Sequence, residues 1–267
     1  MERYVIRGGE TGYDRLGVLA AAWHDTTFEL LDRAGLRTGM TCLDLGCGGG
    51  HVTRDLARRV GPAGHVVGVD MDPVKLELAQ RAADEQGLSN VEFRELNVYD
   101  WDERDRYDLA YCRNLLQHVS RPLDVTKSMW AGVRPGGVLV IEDADFEGAF
   151  CDPPSEAYDF WDSAYQQVLA RHGGDPLSGR KLHRRFLELG IPGPTTTVVQ
   201  RVDITGDAKL MPYLTILATA DAILAEGLAT RERLESILAE LRAGAEDPTL
   251  VWGSPRLFQT WARKPTS

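Results

Sequence analysis

The apolar positions of this chain change period near Met40. Before it, Leu16, Leu19, Ala20, Trp23, Phe28, Leu30, Leu31 and Leu36 recur at near-helical spacing. Residues 1–39 therefore read as N-terminal helices forming a lid. After Met40, short apolar runs alternate with amphipathic stretches. Strands are expected over 41–45, 65–69, 91–96, 109–112 and 138–142. Helices are expected over 51–60, 73–87 and 122–133. Gly61-Pro62 stops the first of these, a glycine ends the second, and Arg134-Pro135-Gly136-Gly137 turns the chain into the fifth strand. Strands and helices alternating at this spacing imply an α/β protein with a doubly wound, Rossmann-like parallel sheet. Right-handed crossovers then put the carboxyl ends of the strands on one edge, where ligands bind.

Beyond Asp143 the alternation loosens. Helices are expected over 155–172, 182–189, 209–226 and 231–243, with a β-rich stretch at 195–204 and a closing strand at 256–263. The first of these helices is aromatic, with Tyr158, Phe160, Trp161 and Tyr165. No long linker divides the chain. It reads as one domain: lid 1–39, cofactor-binding half 40–145, helical cap with the sixth strand 146–250, and last strand 251–267.

Composition narrows the partners. The 267 residues are 43% hydrophobic and 26% charged, which suits one packed domain. The net charge of −10 disfavours a nucleic-acid backbone as partner. The local basic run Arg180-Lys181, His183-Arg184-Arg185 reads as a solvated helix face. Cys42, Cys47, Cys112 and Cys151 show no C-x-x-C spacing, as expected of a cytoplasmic protein. No run of about 18 apolar residues suggests a membrane span.

The chemistry concentrates after the first strand. Leu43-Asp44-Leu45-Gly46-Cys47-Gly48-Gly49-Gly50 follows a strand and precedes a helix. A dinucleotide fingerprint G-x-G-x-x-G would need glycine at 51 or 53, which are His51 and Thr53. The pyrophosphate pattern is absent. Asp44, two residues before Gly46, suits a cationic amine better than a phosphate. Asp70 ends the second strand and reads as the acceptor of two ribose hydroxyls, with Met71 against an adenine face. The competing role for Asp70, a helix cap, is better filled by Asp72 before Pro73.

These segments, with L-N-V-Y-D at 96–100, C-R-N-L-L-Q-H at 112–118 and R-P-G-G at 134–137, stand in the order seen in class I S-adenosylmethionine-dependent methyltransferases. The chain resembles most the ubiquinone/menaquinone-type small-molecule members, well over residues 4–142 and loosely beyond. The resemblance implies seven strands, the last antiparallel, with a cap after the fifth. It implies S-adenosylmethionine as cofactor. Asp44, Gly46, Cys47 and Gly48 would surround its methionine part, with the Arg113 carbonyl on the ammonium. Asp70 and Met71 would hold the ribose and adenine, with Asn97 and the Val98 N–H at the adenine edge. Asn97 stands where the family usually has Asp, and reads alternatively as a turn residue. Tyr4-Val5-Ile6-Arg7-Gly8-Gly9 resembles the Y-I-x-x-G-G segment of phosphoethanolamine methyltransferases, whose tyrosine closes over the cofactor, and Tyr13 is a second candidate for that role. Asn114 departs from the Asp of that group.

The expected reaction is methyl transfer to O, N or C of a small, apolar or aromatic metabolite, as in secondary metabolism. His118 is the first candidate base and Glu142 the second. His118 reads alternatively as a helix histidine satisfied by solvent or backbone. Tyr158, Trp161, Tyr165 and Tyr213 are candidates for the acceptor pocket. Asp143 and Asp145 are too few to imply a metal. The alternative function is a cofactor-binding cyclase or regulator on the same fold. A monomer or homodimer is expected.

Overall fold

The computed structural model describes residues 9–266. A single helix, α1 (Gly9–Ala34), opens the described chain, where several N-terminal helices were expected. There follow β1 (Thr41–Leu45), α2 (His51–Val60), β2 (His65–Asp70), α3 (Pro73–Glu85), β3 (Val91–Glu95), β4 (Tyr107–Arg113), α4 (Pro122–Gly132) and β5 (Val133–Asp145). The start of β5 includes the Arg-Pro-Gly-Gly bend. After it come β6 (Phe150–Asp152), α5 (Glu156–Arg171), α6 (Leu182–Glu188), β7 (Thr195–Val199), β8 (Val202–Asp203), α7 (Met211–Ala225), α8 (Arg231–Glu246), β9 (Val251–Gly253) and β10 (Arg256–Arg263).

Seven strands form one sheet in the order β3-β2-β1-β4-β5-β10-β7. Pairs among β1 to β5 are parallel, and β10 runs antiparallel between β5 and β7. The strand order reverses between β1 and β4, which opens a crevice at their carboxyl ends. Asp44, Asp70 and Arg113 all stand at that edge.

Alternating side chains serve both faces of the sheet. Leu43, Leu45, Val67, Leu139 and Ile141 pack with Met129 of α4 and Leu182 and Phe186 of α6. On the other face Cys42, Val66, Leu109, Val138 and Val140 pack with residues of α1 and α2. Phe28, Leu30, Leu31 and Ala34 of α1 belong to that second core. The C-terminal half of the helix read as a lid is thus part of the sheet's own packing.

The cap has its own core, built from α5, α7, α8 and Trp252. It comes from two segments, one before β7 and one after it. The β-rich stretch splits accordingly: β7 joins the large sheet, and β8 joins a small sheet ordered β6-β9-β8. Residues 207–225 are long and apolar enough, by length and composition, to cross a membrane. Their composition has a local cause, since α7 contributes Ile216, Ala218 and Ile223 to the cap core.

The basic run around residue 180 is a solvated face only in part: Arg180, His183 and Arg184 are exposed, whereas Arg185 is buried, and Arg180, Lys181 and Arg185 are paired. Arg180 donates to both Asp145 oxygens at 2.6 and 2.7 Å, and Lys181 reaches Asp175 at 2.6 Å. Arg185 is buried, with Ser178 Oγ at 2.7 Å and Asp175 at 3.3 Å.

Candidate functional site

The crevice opens into a continuous cavity of about 540 Å³. One end is lined by Asp44, Gly46, Cys47, Gly48, Asp70 and Met71, with Asn97 and Val98 beside them. The other end is lined by cap residues, among them Trp161 and Tyr165 of α5. Arg15, Leu16, Leu19 and Trp23 of α1 lie along the wall between α1 and both ends.

The glycine loop is held in a conformation that side chains would oppose. Gly46, Gly48 and Gly50 have φ of +74°, +53° and +66°. A Cβ at Gly46 would come within 2.9 Å of Leu115 Cδ1, and one at Gly48 within 2.8 Å of Leu16 Cδ1. The loop is pinned to β2, because Gly46 N–H and Cys47 N–H both donate to Val69 O, at 2.7 and 2.9 Å.

Asp70 completes this pinning. Its Oδ2 accepts from Gly48 N–H at 2.8 Å and its Oδ1 from Asp72 N–H at 3.0 Å. Each oxygen keeps a lone pair for a further donor, so the carboxylate fits a vicinal diol while shaping the loop. Asp72 caps α3 through Val74 and Lys75 N–H, ahead of Pro73. Met71 is 49% exposed at the same edge, free to lie against a flat ring. Asn97 is exposed and caps a short 3₁₀ turn, its Oδ1 accepting from Tyr99 N–H at 3.1 Å. One lone pair of that oxygen is therefore committed to the turn.

Asp44 is buried, and its Oδ2 accepts from Thr53 Oγ1 at 2.6 Å. Burial pushes its pKa up to about 6, against the lowering effects of Thr53 and Arg113. A cation bound there would need the ionised form, so binding competes with a proton. Cationic-ligand affinity is expected to fall about tenfold from pH 7 to pH 5. Calorimetric titration of S-adenosylmethionine across that range checks this; a flat profile would detach Asp44 from the ligand's amine.

The two candidate bases separate. His118 lines the cavity. Burial first, then Arg15 and Lys75, pushes its pKa down to about 3, so the imidazole is neutral at physiological pH. Glu142 does not line the cavity, which corrects its reading as a base. It is fully buried, accepting from Thr27 Oγ1 at 2.8 Å, Tyr111 OH at 2.6 Å and Gln259 Nε2 at 2.8 Å. Arg113 Nη1 donates to Thr27 Oγ1 at 2.9 Å, tying the network to the crevice. Glu142 thus joins α1, β4, β5 and β10 beneath the site.

Other expected residues are also sorted by the fold. Tyr13 packs against His51, with ring centroids 5.0 Å apart, and covers Gly49 rather than lining the cavity. Tyr4 lies outside the described residues. Among the cap aromatics, Trp161 and Tyr165 face the cavity, whereas Tyr158 OH is committed to Gly253 O at 2.7 Å and Tyr213 lies under Arg242. Asp143 accepts from Ser178 Oγ at 2.6 Å, and burial pushes its pKa up to about 7. The sequence reading missed Arg15, Trp23, Gln117 and Arg201 on the wall. Helical spacing marked the apolar side of α1, but nothing local marks an arginine among those residues as buried.

A family profile described as a methyltransferase domain matches residues 36–184. The ubiquinone biosynthesis O-methyltransferase of Acinetobacter baumannii is 32% identical over 108 residues, 40% of this chain and 44% of that protein. The chain spans about half the length of the curated relatives it matches. A crystal structure described as a methyltransferase from Bacillus halodurans superposes with a TM-score of 0.61 at 18% identity, covering 91% of this chain and 100% of the other. Phosphoethanolamine N-methyltransferase 2 of Haemonchus contortus, solved with phosphomonomethylethanolamine and S-adenosylhomocysteine, gives 0.61 at 17% identity, covering 96% of this chain and 58% of that one. At these identities the two structures speak to the fold.

Proposed function

Since the chain belongs to the class I S-adenosylmethionine-dependent methyltransferases, we propose that it transfers a methyl group to O, N or C of a small, apolar or aromatic metabolite. The observation that carries this reading is the continuity of the cavity. Asp44, the glycine loop and Asp70 form one end, and an aromatic cap wall forms the other.

When bound, S-adenosylmethionine supplies an already activated methyl group, so the protein's share is alignment and exclusion of water. Asp44 and the Arg113 carbonyl would hold the ammonium, and Asp70 the ribose hydroxyls. Val98 N–H and Asn97 would meet the adenine edge, with Met71 against its face. Leu16, Leu19 and Trp23 close α1 over the crevice. His118, held neutral, is placed to take a proton from a hydroxyl or amine acceptor, although its low pKa makes it a weak base.

The experiment is to incubate the protein with S-adenosylmethionine and a panel of phenols, amines and aromatic acids. Demethylated cofactor forming only with an acceptor supports transfer. Cofactor binding without acceptor-dependent turnover would favour the cyclase or regulator reading. That reading draws on two observations: Glu142 is off the cavity and His118 is a weak base. Binding of a nicotinamide dinucleotide instead would sink both.

The cap wall makes a separate prediction. Trp161→Leu and Tyr165→Leu are expected to raise acceptor KM about tenfold each while cofactor affinity stays within about threefold. Steady-state kinetics with calorimetry reads the two apart. Unchanged acceptor KM would remove these rings from the acceptor site.

A further inference from the structure

Among the described residues, eight buried side-chain polar atoms lack a hydrogen-bond partner, and five of them belong to residues that line the cavity. They are Arg15 Nε, Asn114 Oδ1, Gln117 Oε1, Trp161 Nε1 and Arg201 Nε. Buried orphans are rare because each forfeits its hydration without replacement. Five of them around one cavity mark a polar lining that the protein's own groups leave incompletely satisfied.

Arg15 differs from the rest in carrying an unbalanced charge. It is 8% exposed, and its contact with Thr215 Oγ1 is long, at 3.5 Å. The other cavity cations with a carboxylate neighbour show the contrast. Arg201 pairs with Asp203 at 2.6 Å and Lys75 with Asp72 at 3.3 Å. No carboxylate pairs with Arg15 among the described residues. A guanidinium taken out of water and left without an anion is costly, and an anion from the ligand removes that cost.

Arg15 makes its one hydrogen bond among the described residues to the cap. Leu16 is the residue packed at Gly48. Arg15 lies about 100° round the helix and reaches α7, a cap helix. His118, on the same cavity, lies close enough for the charge of Arg15 to affect its titration, and α7 shares the cap core with Trp161 and Tyr165.

We propose that the acceptor substrate carries a carboxylate, bound by Arg15, with its apolar body against Phe146, Trp161, Tyr165 and Leu169. This rests on the methyltransferase reading of the same cavity. The planar guanidinium fork matches a carboxylate in two parallel hydrogen bonds. Its single positive charge also balances a monoanion.

The test uses protein saturated with S-adenosylhomocysteine and matched probes: phenylacetate and 3-phenylpropionate, their primary amides, and phenyl phosphate. The acids are expected to bind at least tenfold more tightly than the amides by calorimetry. Arg15→Gln is expected to abolish that preference and Arg15→Lys to keep part of it, with S-adenosylhomocysteine affinity within about threefold in both. Equal binding of acid and amide, or no binding of any acid, would overturn the proposal. So would a preference for phenyl phosphate. A loss of S-adenosylhomocysteine affinity matching the loss of acid affinity would assign Arg15 to the cofactor's own carboxylate and also overturn it. If the wild-type protein did not bind S-adenosylhomocysteine, the methyltransferase reading would fail. The acid–amide comparison on cofactor-free protein would still decide the role of Arg15.

Discussion

Glu142→Ala is expected to destabilise the protein by about 3–5 kcal/mol, the cost of stripping a buried polar network of its shared partner. The carboxylate is the meeting point of donors from α1, β4 and β10: Thr27, Tyr111 and Gln259. Alanine leaves three buried donors facing a gap too dry to hydrate them, and removes packing volume besides. Glu142→Gln is expected to cost less, because one acceptor oxygen survives while the new N–H₂ opposes one of the donors. Urea unfolding of the wild type and both variants reads the difference as a shift in midpoint at unchanged slope. A loss below about 1 kcal/mol would show that the network relaxes or admits water. Lost turnover at wild-type stability would return Glu142 to the catalytic machinery, where the sequence first suggested it.

Asp70→Ala is expected to weaken S-adenosylmethionine binding by at least about 100-fold. Hydrogen bonds to a charged group contribute roughly 1.5–3 kcal/mol each, and 1.4 kcal/mol is about tenfold in affinity. Two such bonds would go to the ribose. Two others, to the N–H groups of Gly48 and Asp72, hold the loop that receives the ligand. The substitution therefore removes contacts and also lets Gly48 leave its left-handed conformation, so the loop must be ordered at the moment of binding. Asp70→Asn keeps one acceptor oxygen and is expected to fall between. Calorimetry with S-adenosylhomocysteine avoids any dependence on the acceptor. Affinity for Asp70→Ala within threefold of wild type would remove Asp70 from the cofactor site.

The two residues also show how legible this protein was. Asp70 was placed at the cavity from the chain alone because its position follows from local order: a strand, an acid at its end, and a proline-led helix capped by the next acid, Asp72. Glu142 was equally visible at the end of a strand, yet its orientation was not. Its partners lie 115, 31 and 117 residues away in the sequence. Strand position places a side chain on one face or the other, and only the elements packed there decide whether that face is cavity or core. Asn97 shows the same limit on a smaller scale, since its turn was readable but the lone pair that the turn consumes was not.

By itself the sequence determined the five parallel strands, their helices, the glycine loop and the acid at the end of β2. These rest on period, turn chemistry and capping, all of which act within a few residues. Tertiary structure alone decided that the cap is drawn from both sides of β7. It alone gathered the two- and three-residue strands β6, β8 and β9 into a sheet, since such short runs carry no readable period. It also decided that half of α1 is core while the other half walls the cavity. Arg15 meets α7 200 residues downstream. Burial of a charge at that distance is a property of packing, and no local pattern records it.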